Sequence, residues 1–181
     1  MALEQWDFDL VHSSINFWVR HVMVSKVHGR FEKWSGTFEL DDQNPSASRV
    51  SVQIDATSID TKEPQRDGHL KSPDFLDVEK FPSITFKSTK IAPRGDQRFQ
   101  VDGDLTIHGV TRPVTLDVEY GGRAKDPWGA ERAGLSAHTS INRKDFGLLW
   151  NQVLETGGIL VGDKVDINIE VEAIRKAAKA A

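Results

Sequence analysis

Arg66-Asp67-Gly68-His69-Leu70-Lys71-Ser72-Pro73-Asp74-Phe75-Leu76-Asp77, with Phe81-Pro82-Ser83-Ile84-Thr85-Phe86-Lys87-Ser88 close behind it, is the stretch on which the fold turns. A short charged segment meets an aromatic cluster and then enters a strand that alternates apolar and polar residues. Pro64 and Pro73 bracket the charged segment, which predicts one short helix, with a second turn near Asp74 to Val78. The choice posed here is between an all-β sandwich with a plain surface and a barrel with an apolar interior and a polar gate.

Outward from that stretch the signals are those of strands. Ser14 to Val19 alternates around Ile15, Phe17 and Val19. Residues 27–40 read as two strand pieces bent at Gly29 and Gly36, since glycine inside a strand marks a bulge or a barrel corner. Arg49 to Ala56 alternates strictly, with Val50, Val52, Ile54 and Ala56 on one face. Further strands are expected at Ser83 to Ile91, Phe99 to Ile107, Val114 to Tyr120, Leu135 to Ile141 and Lys164 to Glu172. Residues 108–113 join two of them, Gly121-Gly122 ends that hairpin, and residues 148–162 read as a mobile loop. About eight antiparallel strands, mostly joined in sequence, favour an up-and-down barrel or a sandwich. A closed barrel of that size either fills itself with side chains or holds one small ligand.

Length and composition bound the function. A chain of 181 residues makes one domain with a real core, here placed at residues 1–175 with a short tail at 176–181. With 38% hydrophobic residues and a mean hydropathy of −0.43, it has no apolar run long enough for a transmembrane helix, so no stable membrane insertion is expected. A net charge of −4 gives no electrostatic reason to bind nucleic acid. The Ala-rich stretch from Ala173 to Ala181 reads as a frayed helix. Cysteine is absent, which excludes disulfides and thiolate chemistry. The first residues show neither a basic n-region nor an apolar h-region, so the expected location is the cytoplasm; removal of a leader would make it the periplasm.

The ordered motifs resemble the YceI-like family, the polyisoprenoid-binding or lipocalin-like proteins. They are His12 to Phe17 with His21; Gly29 to Gly36; Ile59-Asp60-Thr61 with Arg66 to Phe75; Phe81 to Phe86; Gly103 to Val114; Ile141 to Gly147; and Val161 to Val165. Leu76 stands where the family often has a second Phe. The resemblance implies an eight-stranded antiparallel lipocalin-like barrel with a short helical insertion around residues 65–78. It implies an apolar tunnel holding a long amphiphile: a polyisoprenoid, an isoprenoid quinone or a fatty amide or acid. It implies a homodimer, and no cofactor beyond such a bound lipid.

His12, His21, His28, His69, His108 and His138 show no metal-ligand spacing, so no metal is expected, although His12 and His21 lie on neighbouring β segments that could meet. Asp67, His69, Ser72 and Asp145 form no recognisable catalytic constellation, so no enzyme is expected. Arg66 and Asp67 admit a structural reading, Asp67 capping a helix and Arg66 pairing with a carboxylate. The inward positions of the alternating strands are the lining candidates: Phe17, Val19, Val52, Ile54, Ile84, Phe86, Leu105, Ile107, Leu116, Val118, Ile167 and Ile169. Phe75, Leu76 and Phe146 are gate candidates, and Arg66, His69 and Asn142 are candidates for the lipid head group. Two other functions compete. One is a filled barrel that binds a protein partner through an exposed Leu148-Leu149-Trp150. The other is a hydrolase or isomerase acting on a lipid.

Overall fold

Val50, Val52 and Ile54 set the pattern for the whole wall: each points inward, while Ser51 and Gln53 between them face out. The same two-residue period runs through eleven strands of the computed structural model, which describes residues 3–177. They are β1 (Glu4–Phe8), β2 (Ser14–His21), β3 (Ser25–Phe31), β4 (Trp34–Leu40), β5 (Arg49–Asp55), β6 (Ile59–Asp60), β7 (Ser83–Pro93), β8 (Arg98–Ile107), β9 (Val110–Lys125), β10 (Glu131–Asn142) and β11 (Val161–Arg175). One helix, α1 (Pro64–Lys71), interrupts them.

Three staves of the wall are broken strands. β1 and β2 both pair with β11, β3 and β4 follow one another across residues 32–33, and β5 passes into β6 through a 3-10 turn at Ala56–Ser58. Counting each broken pair once leaves eight staves. Each is antiparallel to the next in chain order, and β11 closes the ring on β1 and β2. The result is a closed eight-stranded antiparallel barrel, which leaves no long unpaired edge. Outward positions such as Gln53, Lys87, Asn168 and Glu170 are polar and exposed. That is the inverse of a membrane-spanning barrel, whose outer band is apolar.

Two glycines seat aromatic rings. Phe17 lies directly across from Gly29, and a Cβ at position 29 would overlap its ring. A Cβ at Gly103 would likewise overlap Phe86. The rings fold down onto the bare backbone of the neighbouring strand rather than reaching across the barrel. Gly29 and Gly36 lie inside strands of unbroken register and the break between β3 and β4 falls at residues 32–33, so Gly29 is a ring seat rather than a bend.

Bulges correct the simple alternation. The pairing of β7 with β8 shifts between Ser88 and Lys90, which turns Ile91 inward. β9 pairs Tyr120 with Leu135 but Gly122 with Gly134, so Gly121 is an extra residue. Gly121-Gly122 therefore does not end a hairpin. β9 continues to Lys125, and the bulge brings Arg123 to the inner face. The β8–β9 hairpin is tighter than the sequence suggests: only His108 and Gly109 lie between the strands, both at positive φ (55° and 71°), the backbone of a two-residue primed turn. The alanine-rich C-terminal stretch is also corrected. Ala173, Ile174 and Arg175 are strand, paired with Phe8, Asp7 and Trp6, because Ala173 closes a small core with Trp6, Phe38 and Ala133. Lys176 and Ala177 are not helical, and residues 178–181 of the expected frayed helix lie outside the described residues.

Candidate ligand cavity

The inward faces enclose an elongated cavity of about 700 Å³. That falls within the usual size of small-molecule sites. Its wall is apolar along nearly its whole length. Phe17, Val19, Val52, Ile54, Ile84, Phe86, Leu105, Ile107, Leu116, Val118, Ile167 and Ile169 all line it, as do Phe75 and Leu76. The sequence reading omitted other liners, including Phe8, Phe31, Trp34, Phe38, Ile91 and Phe99. β1 and the β7 bulge account for Phe8 and Ile91, and neither has a strong strand signature in the sequence.

The two ends differ. At one end β2 turns into β3, and α1 and residues 143–160 cover the opening. Leu70, Phe75, Leu76 and Leu148 face the cavity there, while Phe146, at 1% exposure, is sunk in the core behind them and lines nothing. His69 stacks edge-on against Trp150 (4.6 Å between ring centroids) and Phe75 (5.0 Å). Arg143, only 3% exposed, holds this cover shut. Its guanidinium donates to the carbonyls of Leu148 (2.7 Å), Trp150 (2.8 Å), Gly162 (2.8 Å) and Val161 (3.3 Å). Burial pushes the Arg143 guanidinium down from its ordinary value, and Asp163, 3.7 Å away, opposes that. Residues 148–162 are accordingly a fastened cover rather than a free loop, and of Leu148, Leu149 and Trp150 only Leu149 is exposed.

At the opposite end Asp42, Ser48, Gln97, Tyr120 and Arg123 enter the lining. Arg123 lies 5.1 Å over the Trp6 ring and pairs with Glu4 (2.7 Å), Asp42 and, more loosely, Glu131 (3.8 Å). Arg175 bridges Glu4 and Glu131. Partial burial works against the charge on Arg123, but the hydrogen bonds to Glu4 and Asp42 outweigh it and raise its affinity for the proton. Two arginines therefore face three carboxylates, and this charged collar carries no spare positive charge.

The remaining candidates lie away from the cavity wall. Arg66 donates from Nε to Thr61 Oγ1 (2.8 Å) and from Nη2 to the Thr61 carbonyl (2.8 Å), rather than pairing with a carboxylate. Glu63, not Asp67, caps α1, accepting from the Gln65 and Arg66 amides. Asp67 instead accepts from Thr61. Asn142 accepts from the Lys144 amide and caps the 3-10 turn Arg143–Phe146. His69 Nε2 meets Asp74 (2.9 Å), and Ser72 Oγ donates to the His69 backbone carbonyl, so the side chains of Asp67, His69 and Ser72 bond groups other than one another. His12 and His21 do not meet; they flank opposite ends of β2.

Elsewhere, Asp9, His12 and Glu172 bring ligand atoms within 4.8 Å of one another. Arg132 already occupies that cluster, donating 2.7 Å bonds to Asp9 and Glu172 and one of 2.8 Å to Asp126. The His12 ring, then Arg132, hold the Asp9 carboxyl down at about 2.

A closed eight-stranded antiparallel barrel around an apolar lumen is a lipocalin-like architecture with room for one small ligand. The chain belongs to the YceI-like domain family, whose model matches residues 6–173. A UPF0312 protein of Vibrio cholerae is 41% identical over 165 residues, covering 91% of this chain and 83% of that protein. Protein YceI of Escherichia coli O157:H7 matches at the same identity and coverage. Among solved structures, BcnA of Burkholderia cenocepacia superposes with a TM-score of 0.81 at 25% identity, covering 92% of this chain and 99% of that one. A polyisoprenoid binding domain from Saccharophagus degradans shares the fold, with a TM-score of 0.69 at 16% identity over 94% of this chain and 98% of that one.

Proposed function

We propose that this protein is a non-catalytic carrier that sequesters or transports one long-chain amphiphile in the barrel, with the tail in the lumen and an uncharged polar head at the collar. The observation that carries this reading is the cavity of about 700 Å³ walled almost entirely by aliphatic and aromatic side chains. Each methylene moved from water into such a wall gains about 0.8 kcal/mol, so a tail needs shape and dryness rather than hydrogen bonds. The barrel shared with a polyisoprenoid binding domain from Saccharophagus degradans supports a lipid ligand.

The head-group class follows from the collar. Arg123 is matched by Glu4, Asp42 and Glu131, and Arg143 at the far end is spent on backbone carbonyls. A diphosphate or carboxylate would find no free cation lining the cavity among the described residues. A quinone, alcohol or amide head needs only single hydrogen bonds, which Gln97 and Tyr120 in the collar lining can supply. Isoprenoid quinones and fatty amides therefore fit better than isoprenoid diphosphates.

The test is a tail-matched pair: geranylgeraniol against geranylgeranyl diphosphate, titrated by quenching of tryptophan emission, with Trp34 in the cavity wall. The alcohol is expected to bind at least about tenfold more tightly. Equal or tighter binding of the diphosphate would overturn the head-group assignment, and binding of neither would overturn the carrier reading.

A further inference from the structure

Two loop tips stand side by side beyond the covered end of the cavity. One is the β2–β3 turn, where Met23 and Val24 are 61% and 77% exposed. The other is the hairpin closed by the Val153–Ile159 bridge, where Val153 is 79% exposed and Leu149, just before it, 63%. They are in contact: the Val22 amide donates to the Leu160 carbonyl (2.9 Å), and Met23 packs on Gly158. Four large apolar side chains thus point into solvent from one small region. Scattered exposed apolar residues need no explanation, but a contiguous cluster marks an interaction surface.

What lies behind the tips indicates the partner. Trp18, on the outer face of β2, carries Lys26 Nζ 4.0 Å above its ring and the Arg20 guanidinium 5.9 Å away. Neither Arg20 nor Lys26 has a carboxylate within salt-bridge distance among the described residues, whereas six of the eleven arginines do. The only carboxylate on the two tips is Glu155. Apolar tips backed by a tryptophan and two unpaired cations reproduce the layering of a bilayer surface: acyl chains, an interfacial belt for aromatic rings, and anionic head groups that attract Lys and Arg.

We propose that the Met23–Val24 and Leu149–Val153 tips form a docking surface for a bilayer containing anionic phospholipid. This goes beyond the carrier reading: a bilayer bound at these tips lies against the α1 cover, the end of the cavity that packing closes. Trp128, 85% exposed, sits on a tip at the opposite end, beside Asp126 and away from this surface.

The experiment is co-sedimentation of the full chain with phosphatidylcholine vesicles containing about one third phosphatidylglycerol, over a salt series. The protein is expected to sediment with these vesicles, weakly or not at all with pure phosphatidylcholine, and less as salt rises. Val24→Asp with Val153→Asp, and separately Arg20→Glu with Lys26→Glu, should each weaken binding by about tenfold or more. Trp128→Ala should leave it unchanged. Geranylgeraniol binding is measured on the same variants and should be unaltered in all. If the wild type binds geranylgeraniol but not the anionic vesicles, the docking surface is wrong and the carrier reading stands. If the tip variants bind vesicles normally, or lose only a concentration-dependent self-association, the patch has another occupant and the proposal is overturned.

Discussion

The two ends of the barrel are closed by different physics. The α1 end is shut by packing: Phe75, Leu76, Phe146 and Leu148 fill it, and one buried arginine laces the cover to the wall. The β1 end is shut by a partly exposed network of arginines and carboxylates around Trp6. Truncating a buried apolar side chain costs several kcal/mol and stranding a buried hydrogen-bonding group about 1 to 3 kcal/mol, whereas a solvated ion pair contributes about 1 kcal/mol or less. The same wall therefore has a stiff end and a soft end, and substitutions should separate them.

The largest effect is expected in the middle of the barrel. Ile54→Asp places a charge in the lumen and should abolish lipid retention. Ile169→Asn, at a less buried position of the same wall, should weaken retention without unfolding the chain. Normal retention by a folded variant of either kind would remove those residues from the site. Phe146→Ala should follow, costing about 3 to 5 kcal/mol in urea unfolding, because the ring is fully buried. Arg143→Met should cost about 3 kcal/mol, since it strands the carbonyls that the guanidinium satisfies, and should speed hydrogen exchange in residues 148–160. Gly29→Ala, which drives a methyl group into the Phe17 ring, should cost about 1 to 3 kcal/mol. At the soft end, Arg123→Gln should cost only about 1 kcal/mol. If Arg123→Gln proved as damaging as Arg143→Met, the contrast between the ends would fail.

The smallest effect concerns pH. Asp9 is held at about 2 by His12 and Arg132, below its ordinary value near 3.8. A depressed carboxylate contributes stability that is complete above the unfolded value and drains away as pH falls through the folded one. Asp9→Asn should therefore lower stability at pH 6 by up to about 1 kcal/mol, and the difference should vanish between about pH 4 and pH 2. A difference that persisted below pH 2 would mean that Asp9 acts through packing.

Most of the wall was legible because alternation is a direct image of the pleat: every inward candidate from Phe17 to Ile169 lies on the cavity. The fold's breaks were harder to read. β1 is five residues long and pairs with β4 and with the far end of β11, a contact with no local signature. Arg123 reaches the lining only because Gly121 adds a residue to β9, which a two-residue period places on the wrong face. The polar candidates misled for another reason. Arg66 and Asn142 have the chemistry of ligand donors, but backbone groups one turn away compete for them and win. Arg143 has similar chemistry, and only its burial and its bonds to four carbonyls show that it holds the cover.

Native mass spectrometry of gently purified protein, followed by extraction and identification of what accompanies it, tests the central claim most directly. The account predicts one long-chain amphiphile with an uncharged head per chain, lost in Ile54→Asp. A bare mass that takes up neither a prenyl alcohol nor a fatty amide would contradict the account and favour a barrel that serves only as a scaffold for its loops.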